Sequence, residues 1–435
     1  MNFSKGFSLG FISTLVITIV TFLNNIIITR QLGPEGRGKY AILITMVLLF
    51  TFLLGEGIRK SNTLLSAKSK ENIRILLYKS SIYCLGLLVI FILLYLFRAF
   101  WQQLLPNITG LMLIITFITA INVIFWQSIQ ASFLGLQSIK NFNKLPVVSA
   151  LMIFSFNAVG IYFFDFKLTE ILLTLLISSL IVSLYSLVLI KKEIGNIFSR
   201  DYRKNGTKVS TTRIFTRSTI SAASFFLTVR GDIFLINFFA GSAQAGLYNI
   251  ARLFFDILQK FPNIAGPLLI SKTVVDDEKV SRLNTARLVR VTFIINIAAV
   301  LFLSIFGFNI LVFLFKEDFS ESFKILTYLM PALLFFGPGS IIYSYFIGKE
   351  YPNIVLLLNC IIGFLNIGLN IFFIPEYGVY AAATISSITY FIWTLVLLVY
   401  FHKISGIRYS EIIFVKRNDF SYLLTLFRKM FRGRE

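Results

Sequence analysis

Twelve apolar stretches, most about as long as a membrane-spanning helix, follow one another at 7–29, 40–58, 78–97, 110–134, 145–164, 169–190, 214–239, 246–270, 291–315, 324–347, 353–374 and 378–401. A bilayer core offers backbone groups no water, so stretches of this length are read as transmembrane helices, whose backbone bonds close internally. Of the 435 residues 57% are hydrophobic and 14% charged, against roughly 25% charged in a soluble domain. The connections are short except 59–77, 191–213 and 271–290, which are read as loops too small for a folded soluble domain. Lys5 precedes the first stretch and no small-x-small cleavage pattern follows it, so that stretch reads as a retained helix. The expectation is an all-α membrane protein with about 12 transmembrane helices.

The basic residues fall on alternate connections. With the N-terminus inside, 31 of the 41 Lys and Arg residues gather on one side of the twelve-span plan. The positive-inside rule then puts both termini in the cytoplasm, and an error of one span would scramble the alternation. The formal charge of +21 is accordingly read as loops held against an anionic leaflet, with membrane lipids as partners and no nucleic acid. Cys84 and Cys360 lie in apolar runs, and the one histidine, His402, stands at a span end. Neither a disulfide framework nor a zinc site follows, and a Ser-His-Asp arrangement is disfavoured.

The two halves of the chain echo each other. Gly33-x4-Gly38-x-Tyr40, entering span 2, returns 208 residues later as Gly241-x4-Gly246-x-Tyr248, entering span 8. Phe133-Leu134-Gly135 ends span 4, and Phe346-Ile347-Gly348, offset by 213, ends span 10. Glycine suits a tight reversal and tyrosine suits the interface. The reading is two six-helix lobes, 1–200 and 201–402, and a basic tail, 403–435. Two lobes rocking about a central site are a transporter architecture. From Phe420 the tail sets Phe420, Leu423, Leu424, Phe427, Met430 and Phe431 at helical spacing among Arg428, Lys429, Arg432 and Arg434, as in an amphipathic surface anchor.

Charge within a span is costly and points to a cavity or pathway. Arg230 and Asp232 lie in span 7; Arg252, Asp256 and Lys260 recur every fourth residue of span 8. In an antiparallel hairpin centred near Ser242 and Ala243, a rise of about 1.5 Å per residue sets Asp232 level with Arg252 and Arg230 close to Asp256, leaving Lys260 unmatched. Such pairs serve either as structural ion pairs or as the lining of a hydrated cavity for an anionic ligand. Asp232 minus 208 is Asn24, beside Asn25 in span 1, so the matching place in the first lobe is polar and uncharged. Gln127 and Gln130 in span 4 are further hydrogen-bond candidates. Glu56, between Gly55 and Gly57 at the end of span 2, is a candidate for gating or ion coupling.

Other motifs carry less. Gly33-Pro34-Glu35-Gly36-Arg37-Gly38-Lys39 matches the start of a P-loop, but Tyr40 replaces the Mg²⁺-binding hydroxyl and no strand precedes it. Asp276-Asp277-Glu278 sits with Lys279 and Arg282 in a solvated loop. Asn107-Ile108-Thr109 and Asn205-Gly206-Thr207 match the glycosylation acceptor pattern, which is too short to inform.

The segment Arg30-Gln31-Leu32-Gly33-Pro34-Glu35-Gly36-Arg37-Gly38-Lys39-Tyr40-Ala41 resembles bacterial polysaccharide flippases of the Wzx type, in the multidrug/oligosaccharidyl-lipid/polysaccharide (MOP) exporter superfamily. Arg230-Gly231-Asp232, Gly246-Leu247-Tyr248-Asn249-Ile250-Ala251, Asn366-x3-Asn370, Ile374-Pro375, Gly378 and Ala381-Ala382-Ala383-Thr384 carry the resemblance onward, so that it covers essentially residues 1–402. It implies a MATE-like, V-shaped pair of lobes and no catalytic residues. It implies transfer of an undecaprenyl-diphosphate-linked oligosaccharide of O-antigen, capsule or exopolysaccharide to the outer leaflet of the inner membrane by alternating access. Polysaccharide polymerase and chain-length machinery would be partners. Arg230, Asp232 and Arg252 would be cavity residues; Asp256 and Lys260 rest on the stripe alone. Coupling to H⁺ or Na⁺, known in some members, would have to use carboxylates such as Asp232 or Asp256. Two alternatives remain at this point: a cation-coupled exporter of small molecules, which a net-positive cavity disfavours, and a membrane polymerase, for which a large external loop or soluble domain is expected.

Overall fold

Residues 26 positions apart on one straight helix stand about 39 Å apart, yet Arg230 and Asp256 meet at 2.6 Å. The chain therefore doubles back between them, at Gly241, whose φ of 87° and ψ of 169° are essentially closed to residues with a side chain. The computed structural model shows the same device three times. It describes residues 3–70, 72–97, 105, 108–195, 219, 222–223, 226, 229–275, 277–349, 351–414, 416 and 419. The tail from Phe420, Asn107, Asn205-Gly206-Thr207, Asp276 and the 191–213 loop beyond residue 195 lie outside the described residues.

The helices are α1 (Phe3–Phe50), α2 (Glu56–Lys68), α3 (Asn72–Leu96), α4 (Gly110–Gly135), α5 (Ile139–Phe164), α6 (Leu168–Ile194), α7 (Asp232–Leu258), α8 (Lys260–Val275), α9 (Glu278–Phe315), α10 (Glu321–Gly348), α11 (Pro352–Ser405) and α12 (Tyr409–Ile413). Eight helical stretches among the described residues are long and apolar enough to cross a membrane. Helix α1 reverses at Gly33 (φ 63°), where Arg37 returns to donate a hydrogen bond to Asn25 at 2.7 Å. Helix α11 reverses at Gly378 (φ 60°), where Trp393 donates to Asn359 at 3.0 Å. Dividing α1, α7 and α11 at these glycines puts helices where the expected spans lie, except that much of the seventh, 214–239, falls outside the described residues. The chain forms an all-α, multi-pass membrane protein with two compact units, Met1–Phe226 and Leu227–Glu435.

Several local expectations are corrected. Gly38 and Gly246 lie inside helices; only Gly33 and Gly241 of the repeated motif make the turn. The expected loops at 59–77 and 271–290 are largely helical, because α2 runs on to Lys68 and α9 starts at Glu278. Arg37, in the segment expected to enter span 2 as a loop, is 3% exposed and sits over the Tyr40 ring. Thr109 caps α4 by accepting from the Met112 amide, a structural use for one residue of the glycosylation pattern.

Each unit carries the repeat in its packing. In the first, α4 packs against α2, α3 and α6, and α1 against α5; in the second, α10 packs against α7, α8, α9 and α11. A Cβ on Gly135 would stand 2.4 Å from the Thr63 carbonyl of α2, and one on Gly348 would stand 3.2 Å from the Ile270 carbonyl of α8. The Phe-x-Gly echo thus marks where the fourth and tenth spans press against the backbone of the second and eighth, with Phe133 and Phe346 fully buried beside them. The second span of each unit is interrupted at matching positions. A π-helical turn, Thr51–Gly55, joins α1 to α2, and Gln259, 208 residues after Thr51, separates α7 from α8.

Candidate functional site

The reversal at Gly241 lays the two arms of α7 side by side and so makes two ion pairs. Asp232 Oδ2 accepts from Arg252 Nη1 at 3.1 Å, from the Tyr248 hydroxyl and from Ser386 Oγ at 3.3 Å. Arg252 Nη2 donates to the Tyr390 hydroxyl at 3.4 Å, and the guanidinium lies 5.4 Å from the Phe255 ring centre. Asp232 and Arg252 are 3% and 2% exposed, while Asp232 Oδ1 and Arg252 Nε have no hydrogen-bond partner among the described residues. A lone buried charge is prohibitively costly, whereas a hydrogen-bonded pair is tolerated.

The second pair has a different surrounding. Arg230 Nη2 donates to Asp256 Oδ2 at 2.6 Å, but these side chains are 24% and 31% exposed within the unit. Both pairings match the depth argument from the sequence. The stripe itself does not persist as one helix: α7 ends at Leu258 and Lys260 opens α8, exposed and without an ion-pair partner among the described residues.

In the first unit the place corresponding to Asp232 holds a neutral cluster. Asn157 donates to Asn24 Oδ1 at 2.9 Å and accepts from Thr174 at 2.6 Å, with all three buried. Asn25, next to Asn24, is bonded to Arg37 instead. Gln127 has a buried Oε1 without a partner among the described residues, and Gln130 Nε2 donates to the Phe142 carbonyl at 2.9 Å. Glu56 pairs with Arg59 at 2.9 Å and Lys60 at 3.7 Å. Glu56 and Gln130 line one cavity of about 340 Å³ with Arg59, Lys60, Leu134 and Phe142.

Ser386, Tyr390, Asn157 and Thr174 were not singled out from the sequence, and Tyr248 was named only within motifs, not as a site residue. Two signals were available: Asn157 plus 213 is Asn370, and Tyr248 belongs to the repeated glycine motif.

A family described as polysaccharide biosynthesis protein matches residues 3–266. No curated protein matches the chain in sequence. Among solved structures, "Lipid II flippase MurJ, inward closed conformation" aligns with a TM-score of 0.72 at 16% identity, over 97% of this chain and 96% of that one. An inward-facing multidrug-resistance MATE transporter of the MOP superfamily aligns with a TM-score of 0.69 at 16% identity, over 90% and 94%. A MOP superfamily transporter from Pyrococcus furiosus, described by the reverse polarity of its binding pocket, gives 0.66 at 14% identity, over 93% and 94%. The chain has the MOP superfamily fold.

Proposed function

Since the chain belongs to the polysaccharide biosynthesis protein family, we propose that it is a flippase for a lipid-diphosphate-linked oligosaccharide repeat unit in the bacterial inner membrane. Transfer runs from the cytoplasmic to the outer leaflet, with both termini cytoplasmic. The observation that carries this reading is the contrast between the two ion pairs made across the Gly241 reversal. Asp232–Arg252 is sealed, and in this account holds the two arms together. Arg230–Asp256 stays partly exposed, and Lys260 lies exposed beyond it. Charge that remains accessible within a spanning segment suits a hydrated pathway. The accessible cations outnumber the carboxylate there, which favours an anionic diphosphate over a cationic drug. In this reading Arg230 and Lys260 meet the diphosphate, Asp256 keeps Arg230 oriented between substrates, and the neutral amides of the first unit serve the uncharged sugar. No bond is made or broken.

Reconstitution tests it. Purified protein in vesicles, loaded on one leaflet with a fluorescent polyprenyl-diphosphate oligosaccharide, should carry the label to the other leaflet, as read by a membrane-impermeant quencher. Export of a cationic dye under a cation gradient, with no movement of the lipid-linked sugar, would replace this reading by that of a small-molecule exporter.

A further inference from the structure

The first unit holds a cavity whose charged residues the transport reading does not use. It lies where the end of α2 meets the ends of α4 and α5, and has a volume of about 340 Å³. Its polar residues are Glu56, Arg59, Lys60, Thr63 and Gln130, and its apolar wall includes Leu64, Leu134 and Phe142. Arg59 and Lys60 are 39% and 51% exposed and share the single carboxylate of Glu56, so the group is left with one net positive charge. Gln130 uses Nε2 on the Phe142 carbonyl, which leaves Oε1 as an acceptor. Leu64 and Leu134 are 48% and 44% exposed, so the apolar wall runs out to the surface of the unit.

The geometry points to a headgroup site for a phosphodiester phospholipid of the cytoplasmic leaflet. Guanidinium and ammonium groups recognise phosphate oxygens by charge-assisted hydrogen bonds. Basic cavities between spanning helices on the cytoplasmic side are places where lipid headgroups bind. One net positive charge matches the single negative charge of a phosphodiester. The cavity takes a headgroup but not an oligosaccharide, the acyl chain lies along Leu64 and Leu134, and Gln130 Oε1 accepts from a headgroup hydroxyl. The π-helical turn Thr51–Gly55 ends at the residue before Glu56, so occupancy is sensed where the second span changes its helical repeat. Such turns recur at functional positions.

Native mass spectrometry of the full-length protein tests this with phosphatidylglycerol, phosphatidylcholine and inorganic phosphate as probes. Phosphatidylglycerol should be retained over phosphatidylcholine. The double variant Arg59→Gln/Lys60→Gln should lose about tenfold of that retention, one decade in affinity, while Glu56→Gln should raise it. Lys191→Gln/Lys192→Gln removes the same charge from the exposed end of α6 and should leave retention unchanged. Leu134→Trp keeps every charge, fills the cavity, and supplies the test if the double variant does not fold. Equal loss in the α6 control, full retention in Leu134→Trp, or displacement of the lipid by millimolar inorganic phosphate would overturn the proposal.

Discussion

Asp232 and Arg252 stand 20 positions apart in the chain and 3.1 Å apart in space, both closed off from solvent. Removing one partner strands the other charge in an apolar interior, at a cost of about 3–5 kcal/mol, whereas replacing both with apolar residues is often near neutral. Arg252→Ala should therefore lower the unfolding temperature markedly, and Asp232→Leu/Arg252→Leu should recover much of the loss. Thermal unfolding of the purified variants checks this; equal loss in single and double variants would mean that the pair is not the holding element.

Arg230 and Asp256 should behave in the opposite way. Their pair is partly exposed, and exposed pairs contribute about 0–1 kcal/mol. Arg230→Gln should leave unfolding nearly unchanged yet cut lipid-linked sugar transfer by about tenfold or more, as expected when a charge-assisted contact worth roughly 1.5–3 kcal/mol is lost. Transfer measured in vesicles alongside the unfolding curve separates the two effects.

Gly241 makes the reversal with φ 87°, and a Cβ there would meet nothing within 4 Å. The cost of Gly241→Ala is thus conformational, about 1–3 kcal/mol, and Gly246→Ala, at a helical position, should cost much less. Comparing the two unfolding temperatures tests whether the repeated motif is a turn or a contact surface.

These positions also show what the sequence could reveal. The length of the apolar stretches located the spans, because the bilayer fixes helix length. The spacing of Arg230, Asp232, Arg252 and Asp256 even located the pairs, since one tight turn fixes the register of a hairpin. Burial was not legible: nothing in the spacing says that Arg252 is sealed while Asp256 is half open, because that depends on Tyr390 and Ser386 arriving from α11, more than 130 residues later. The burial of Arg37 was not legible for a related reason: its guanidinium folds back across the reversal at Gly33 to donate to Asn25 and lies over the Tyr40 ring, which residue spacing alone does not show.

The start of the tail is tied to α9. Arg290 donates to both carboxylate oxygens of Asp419 at 2.6 and 2.9 Å and also to the Glu411 carbonyl in α12, and Asp419 accepts from the Lys416 amide at 2.8 Å. Burial alone would raise the Asp419 carboxyl, but the bonds from Arg290 and Lys416 and the charges of Arg290 and Arg287 outweigh it and hold the group below its ordinary value. A depressed carboxylate stabilises the folded state above its unfolded-state pKa and loses that contribution as pH falls through the folded-state value. Hydrogen exchange in 409–413 should stay slow at neutral and mildly acidic pH and speed up only below the usual carboxylate range. Asp419→Asn should speed it at neutral pH.

The central claim is outward transfer of a lipid-linked repeat unit, and the most direct measurement is which leaflet holds that unit in the native host after the gene is deleted. The account predicts complete undecaprenyl-diphosphate-linked units accumulating on the cytoplasmic leaflet, loss of surface polysaccharide, rescue by the wild type, and failed rescue by Arg230→Ala at normal protein level. Units that still reach the outer leaflet in the deletion strain, with no second transporter present, would contradict it.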